Sequence, residues 1–111
     1  MTQYLVSIYH ADDYDPAKEP AEMHRDIDTL NDEMVAAGVR VFVGGLAPAR
    51  TAKSVRRKGA KLVLTDGPYI ETREHIGGFW VLECATLEEA IAWGEKAAAA
   101  CRTPVQIRAF N

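Results

Sequence analysis

The sequence predicts an α+β fold of the split β-α-β, or ferredoxin-like, type with a β-hairpin inserted in its middle. The pattern β-α-β occurs twice along the chain, and two short basic strands meeting at Gly59 separate the two units. Each helical segment carries a single apolar stripe. Right-handed crossovers place two such helices on one face of an antiparallel sheet. A chain of 111 residues has the size of one domain, here residues 1–111.

The first β-α-β unit begins with an interior strand. Residues 3–9 are largely apolar on both faces, as in a strand with neighbours on either side. A helix is predicted from residue 20 or 21 to about 37, because apolar residues recur every three or four positions. Gly38 ends it. Residues 39–44 form the second strand, with one face made by Val39, Val41 and Val43.

The inserted hairpin comprises residues 51–58 and 61–65, with its turn at Lys58-Gly59. Its basic side chains have two interpretations, a phosphate-binding patch or a charged edge that resists aggregation, and we favour the second. They are Arg50, Lys53, Arg56, Arg57, Lys58 and Lys61.

The second β-α-β unit contains a strand led by Gly77-Gly78 and a helix that begins at a capping box. Thr86 is the N-cap and Glu89 reaches back to the start of the helix. Small residues on the buried side of this helix permit close packing on a sheet. Residues 105–110 form the last strand.

Two helices cover only one face of this sheet, yet the strands are apolar on both faces. A second copy of the chain, related by a twofold axis, is the simplest cover for the other face. We therefore expect a homodimer.

Composition excludes several classes of protein. A net charge of -3 argues against sequence-independent binding to nucleic acid. No apolar run is long enough to span a bilayer, and the N-terminus shows no export signal. We therefore expect a cytoplasmic protein in which Cys84 and Cys101 are free, buried thiols. Their spacing is not that of metal ligands, and we interpret the acidic loop at residues 10–20 as solvated rather than as a metal site.

The stretch at residues 65–83 is the first candidate for a site. Asp66-Gly67-Pro68 is a turn signal, and several ionisable side chains, His75 among them, precede the glycine-led strand. A polar cluster beside glycines suits the mouth of a small-molecule site, since glycine lets a ligand come close. A plain surface loop fits the pattern equally well.

His24 is the second candidate. It lies four residues before Asp28, so the two share one face of the first helix beside its apolar stripe. This pair is either an exposed ion pair or an imidazole that faces a cleft under the helix.

The segment Asp66-Gly67-Pro68-Tyr69-Ile70-Glu71-Thr72-Arg73-Glu74, followed by Ile76-Gly77-Gly78-Phe79, resembles the DGPF branch of the YCII-related family. That branch is named for Asp-Gly-Pro-Phe, usually followed by Glu-Thr-Lys-Glu. Tyr69 replaces the usual Phe and Arg73 the usual Lys. The last strand, residues 106–109, has Gln-Ile-Arg-Ala where the family tends to Glu-Val-Arg-Pro.

The resemblance implies a dimeric α+β barrel with a pocket in each subunit. It implies no established reaction, although some members carry a helix-one His and an Asp that look like an acid–base pair. The first functional hypothesis is a cofactor-independent, metal-free enzyme in which His24 moves a proton and Asp66 orients the His24 imidazole or acts as the base. Arg73 would hold an anionic group, and the ligand-binding residues would be Gly67, Pro68, Tyr69, Glu71, Arg73, Glu74 and Gly78.

Two further hypotheses stay open. The protein is a non-catalytic ligand-binding or accessory domain that acts with an extracytoplasmic-function sigma factor, as the resemblance implies for some relatives, or it is a purely structural dimer. An enclosed cavity with His24 near Asp66 favours the enzyme, and an open surface favours the binding domain.

Overall fold

Six strands and two α-helices are the main elements of the computed structural model, which describes residues 1–111. In chain order they are β1 (Thr2–Ala11), α1 (Ala21–Ala36), β2 (Arg40–Gly45), β3 (Lys53–Lys58), β4 (Lys61–Asp66), β5 (Glu74–Cys84), α2 (Leu87–Cys101) and β6 (Val105–Ala109). Neither helix has the length and apolar character that crossing a membrane requires.

The main sheet has the strand order β2-β5-β1-β6, and every neighbouring pair is antiparallel. Val6 of β1 lies opposite Trp80 on one side and Ile107 on the other. The strands β3 and β4 form a separate two-stranded sheet. The predicted split β-α-β fold with an inserted hairpin is therefore confirmed.

Both helices pack on the same face of the sheet. The apolar stripe of α1 buries Met23, Leu30 and Met34, and the Trp80 indole of β5 donates a hydrogen bond to Asn31 Oδ1 at 2.9 Å. The predicted capping box starts α2, as two hydrogen bonds show. Glu89 N–H donates to Thr86 Oγ1 at 3.2 Å, and the Glu89 carboxylate accepts from Ala85 N–H at 3.1 Å.

The predicted alternation of β2 is wrong at Val41. The pairing with β5 shifts between Arg40 and Phe42, so a bulge interrupts the strand. As a result Val39 is 5 % exposed while Val41 is 52 % exposed. Phe42 instead lies opposite Val81 on the face of the sheet that no helix covers.

That uncovered face, hereafter the open face, is apolar at its centre. Phe42 and Phe79 have ring centroids 5.9 Å apart, and Leu5 lies opposite Val81 in the neighbouring strand. Two helices on one side leave these side chains without cover, as the sequence predicted.

Cys84 and Cys101 are both free and buried, as predicted. Burial in apolar surroundings disfavours a thiolate and raises the pKa of Cys101 to about 11.

Candidate functional site

A recess of about 70 Å³ lies at the end of the sheet where β1 ends and β5 begins. The loop after β1 and the loop after β2 form its walls. The side chains that give it chemical character are His10, Asp12, Tyr14 and His75, and Leu46 and Pro48 supply apolar wall.

A bulge in β5 orients His10 into this recess. Ile8 pairs with Gly78 but Tyr9 pairs with Ile76, which leaves Gly77 as the extra residue. A Cβ at Gly77 would lie 2.2 Å from His10 Nδ1. The imidazole therefore occupies space that only a glycine leaves free.

The His10 imidazole is half-buried and makes no hydrogen bond within the chain. It stacks on the ring of Tyr14, with centroids 3.8 Å apart and planes 13° apart. Burial lowers the pKa of His10, and the smaller effect of the Glu19 carboxylate acts in the opposite direction. His10 is therefore a neutral imidazole near pH 7, and its ring nitrogens are available to a ligand.

Tyr14 is held in place by a carboxylate. Its hydroxyl donates a hydrogen bond to Glu19 Oε2, and Glu19 Oε1 lies 3.2 Å from His24 Nε2. Glu19 thus links the stacked pair of His10 and Tyr14 to His24, which is exposed on α1.

His75 joins three segments of the chain. Its Nδ1 lies 2.6 Å from Asp12 Oδ1, and its Nε2 donates to the Ile70 carbonyl at 2.9 Å. Both partners are acceptors, so an imidazolium satisfies both bonds at once. The hydrogen bond to Ile70, followed by that to Asp12, raises the pKa of His75.

The raised pKa of His75 predicts a pH dependence of folding. A histidine whose pKa is higher in the folded chain stabilises it fully below the ordinary pKa of 6.5, and this stabilisation is lost as pH rises through the raised value. His10, whose pKa is lowered, has the opposite dependence. We therefore expect the wild-type advantage over Asp12→Asn in urea unfolding to be larger at about pH 5.5 than at about pH 8. Equal advantages would contradict the assignment.

His24 and Asp66, the acid–base pair predicted from the sequence, have other partners within the chain. His24 is 57 % exposed on α1 and contacts Glu19. Asp66 is 85 % exposed at the end of β4 and binds Lys53 Nζ at 2.6 Å. No hydrogen bond or ion pair joins the two side chains, so a single chain does not assemble them into one site.

The predicted ligand-binding residues are divided between several places. Pro68 and Glu74 line an open groove of about 490 Å³ that adjoins the recess at His75, and Arg73 lies at a shallow depression beside Glu74. The other four are chain neighbours of lining residues but do not themselves line the recess or the groove: Gly67, Tyr69, Glu71 and Gly78.

Gly67 and Gly78, the two glycines among the predicted ligand-binding residues, have structural roles. Gly67 has φ of 91° in the turn after β4, which only glycine adopts without strain. A Cβ at Gly78 would lie 3.0 Å from the Gly44 carbonyl oxygen. Gly78 thus serves the close pairing of β5 with β2.

Sequence reasoning missed His10, Tyr14 and the role of Asp12. We interpreted the acidic loop as solvated, but its first carboxylate pairs with His75. The available signal was Gly77, since a glycine in a strand marks a bulge or a close approach. The side chain that approaches it belongs to a strand that lies far away in the sequence.

The structure contains no group of three or more His, Cys, Asp or Glu side chains arranged to hold a metal ion. The polar side chains that line the recess are two imidazoles, one carboxylate and a phenol.

Comparison with known proteins gives the family. The model of the YCII-related domain matches residues 2–102. An uncharacterized protein of Rhizobium meliloti (strain 1021) is 31 % identical over 91 residues, which cover 79 % of this chain and 73 % of that protein. The chain belongs to the YCII-related family.

Proposed function

We propose that this protein is a cofactor-independent enzyme that moves a proton on a small molecule bound in the recess, with His10 as the base. One observation carries the proposal. His10 is a half-buried imidazole in a recess, and none of its nitrogens is used within the chain. A buried polar group normally has a partner, so an unbonded imidazole at a recess is placed to serve a ligand.

The electrostatics support the same role. Burial keeps His10 neutral and thus able to accept a proton near pH 7. The neighbouring His75–Asp12 pair places a hydrogen-bonded imidazole and a carboxylate beside it.

The sequence-based assignment of His24 and Asp66 is a competing version of this proposal. His24 reaches the recess only through Glu19 and Tyr14, and it would then support Tyr14 rather than contact the substrate. A matched set of variants separates the two versions.

The test is hydrogen–deuterium exchange at carbon in a panel of small carbonyl compounds and carboxylates, followed by proton NMR in D₂O. A base that removes a C–H proton and returns a deuteron from solvent erases the corresponding signal without consuming the compound. We expect His10→Phe, which keeps a stacking ring but no nitrogen, to lower the exchange rate about 10²- to 10⁴-fold. His24→Gln and Asp66→Asn should retain it.

The outcomes are distinct. Loss of exchange in His24→Gln or Asp66→Asn, with retention in His10→Phe, would transfer the role to the sequence-predicted pair. Compounds that bind at His10 without exchange would favour the second candidate, a ligand-binding domain that acts as an accessory to a transcription factor. The openness of the groove beside the recess favours that candidate.

A further inference from the structure

The hairpin β3–β4 is amphipathic. Cross-strand partners share a face, and Val55 pairs with Leu64 while Arg57 pairs with Leu62. One face of the hairpin therefore presents three apolar side chains, of which Val55 is 62 % exposed, Leu62 76 % and Leu64 66 %. Lys53 and Arg57 lie at the two ends of this face. The opposite face carries Arg56, Lys58 and Lys61 around the half-buried Val63.

The chain's own fold leaves this hairpin unsupported. Two hydrogen bonds close the base of the hairpin. Gly67 N–H donates to the Ala52 carbonyl at 2.7 Å, and the Ser54 hydroxyl donates to the Gly67 carbonyl at 2.7 Å. No helix or other strand packs on its apolar face. A two-stranded hairpin by itself is at best marginally stable in water, so a partner is expected there.

The dimensions of the chain agree with a missing partner. Its radius of gyration is 15.9 Å, whereas a compact chain of this length has about 13 Å. Its accessible surface is 7703 Å², against about 6,100 Å² for a compact monomer of this mass. The excess is larger than the roughly 800 Å² that each partner buries in an interface of standard size.

The charge distribution indicates what the partner is. Residues 50–61 hold six cations and no carboxylate, namely Arg50, Lys53, Arg56, Arg57, Lys58 and Lys61. Residues 12–33 hold nine carboxylates, namely Asp12, Asp13, Asp15, Glu19, Glu22, Asp26, Asp28, Asp32 and Glu33, against Lys18 and Arg25. A basic hairpin on a chain that is otherwise acidic favours association with a second copy, and each copy also brings an uncovered apolar sheet face.

We propose that the hairpin β3–β4 is an arm that docks through Val55, Leu62 and Leu64 on a second copy of this chain, whose own arm docks in return. The twofold pair covers the apolar faces of both arms together with the open faces of both sheets. The interface is thus larger than contact between the two open faces alone would give.

The arm is tested by substitution on its two faces. Sedimentation equilibrium of the wild type should give twice the chain mass of 12.2 kDa. The double variant Leu62→Ser/Leu64→Ser removes apolar side chains that make little contact within the chain, so its circular dichroism should keep both helices. Its dissociation constant should rise at least about 100-fold. Val63→Ser, on the same strand but the opposite face, is the matched control and should dimerise almost as the wild type does.

Two results would overturn the proposal. One is a wild type that stays monomeric at about 100 µM, far above the concentrations at which specific dimers form. The other is a double variant with the dissociation constant of the wild type, which would show a dimer formed without the arm. A variant that loses its helical signal is replaced by Leu64→Ser alone, to which the same two criteria apply.

Discussion

Replacing Gly94 with valine should strongly destabilise the fold. A Cβ at Gly94 would lie 2.6 Å from Ile107 Cδ1 and 2.8 Å from Ile107 Cγ1. The helix therefore packs directly on β6 at this point, and a branched side chain forces the two apart. We expect a loss of about 3 kcal/mol in the free energy of unfolding, the upper part of the range for overpacked cores. The melting temperature should fall by about 12 °C or more.

Ala92→Val is the matched control, because Ala92 is exposed on the same helix. This substitution should lower the free energy of unfolding only through the lower helix propensity of valine, by a few tenths of a kcal/mol. Gly94→Ala should fall between the two, since alanine gains about 1 kcal/mol of helix propensity over glycine while it still presses on Ile107. Thermal unfolding by circular dichroism ranks the three, and equal melting temperatures would refute the close contact.

Replacing Gly77 with alanine should abolish the chemistry proposed for the recess and leave the fold intact. The new Cβ would lie 2.2 Å from His10 Nδ1, so the imidazole must rotate away from Tyr14. Gly77 does not have a positive φ, so the backbone accepts alanine without strain. We expect the carbon exchange rate to fall as far as in His10→Phe, about 10²-fold or more, with a stability change of about 1 kcal/mol at most.

NMR titration of the imidazoles gives a readout that does not depend on any substrate. Burial lowers the pKa of His10 in the wild type, so displacement into solvent should raise it towards the ordinary value of 6.5 in Gly77→Ala. The control is Gly45→Ala, whose Cβ meets nothing within 4 Å. An unchanged His10 pKa in Gly77→Ala would show that the imidazole stays buried in the recess, and would contradict the predicted displacement.

The arrangement of the elements along the chain was predictable because its signals are local. The stripe that buries Met23, Leu30 and Met34 sets α1, and Thr86 with Glu89 sets the start of α2. Gly59, with φ of 63°, sets the turn of the hairpin. Each signal lies within a few residues of the structure it specifies, so a reading of neighbouring residues finds it. The bulge in β2 left no such signal and was missed.

The sequence by itself determined the fold class, the family motif and the lack of cover over one sheet face. Only the tertiary structure decided the candidate site. His75 and Asp12 lie 63 residues apart, and they meet because β1 pairs with β5 in one register, with a bulge that removes Gly77 from the pairing. A shift of one residue would turn His10 to the other face of the sheet. That register depends on the packing of the whole sheet, which no segment of the sequence specifies alone.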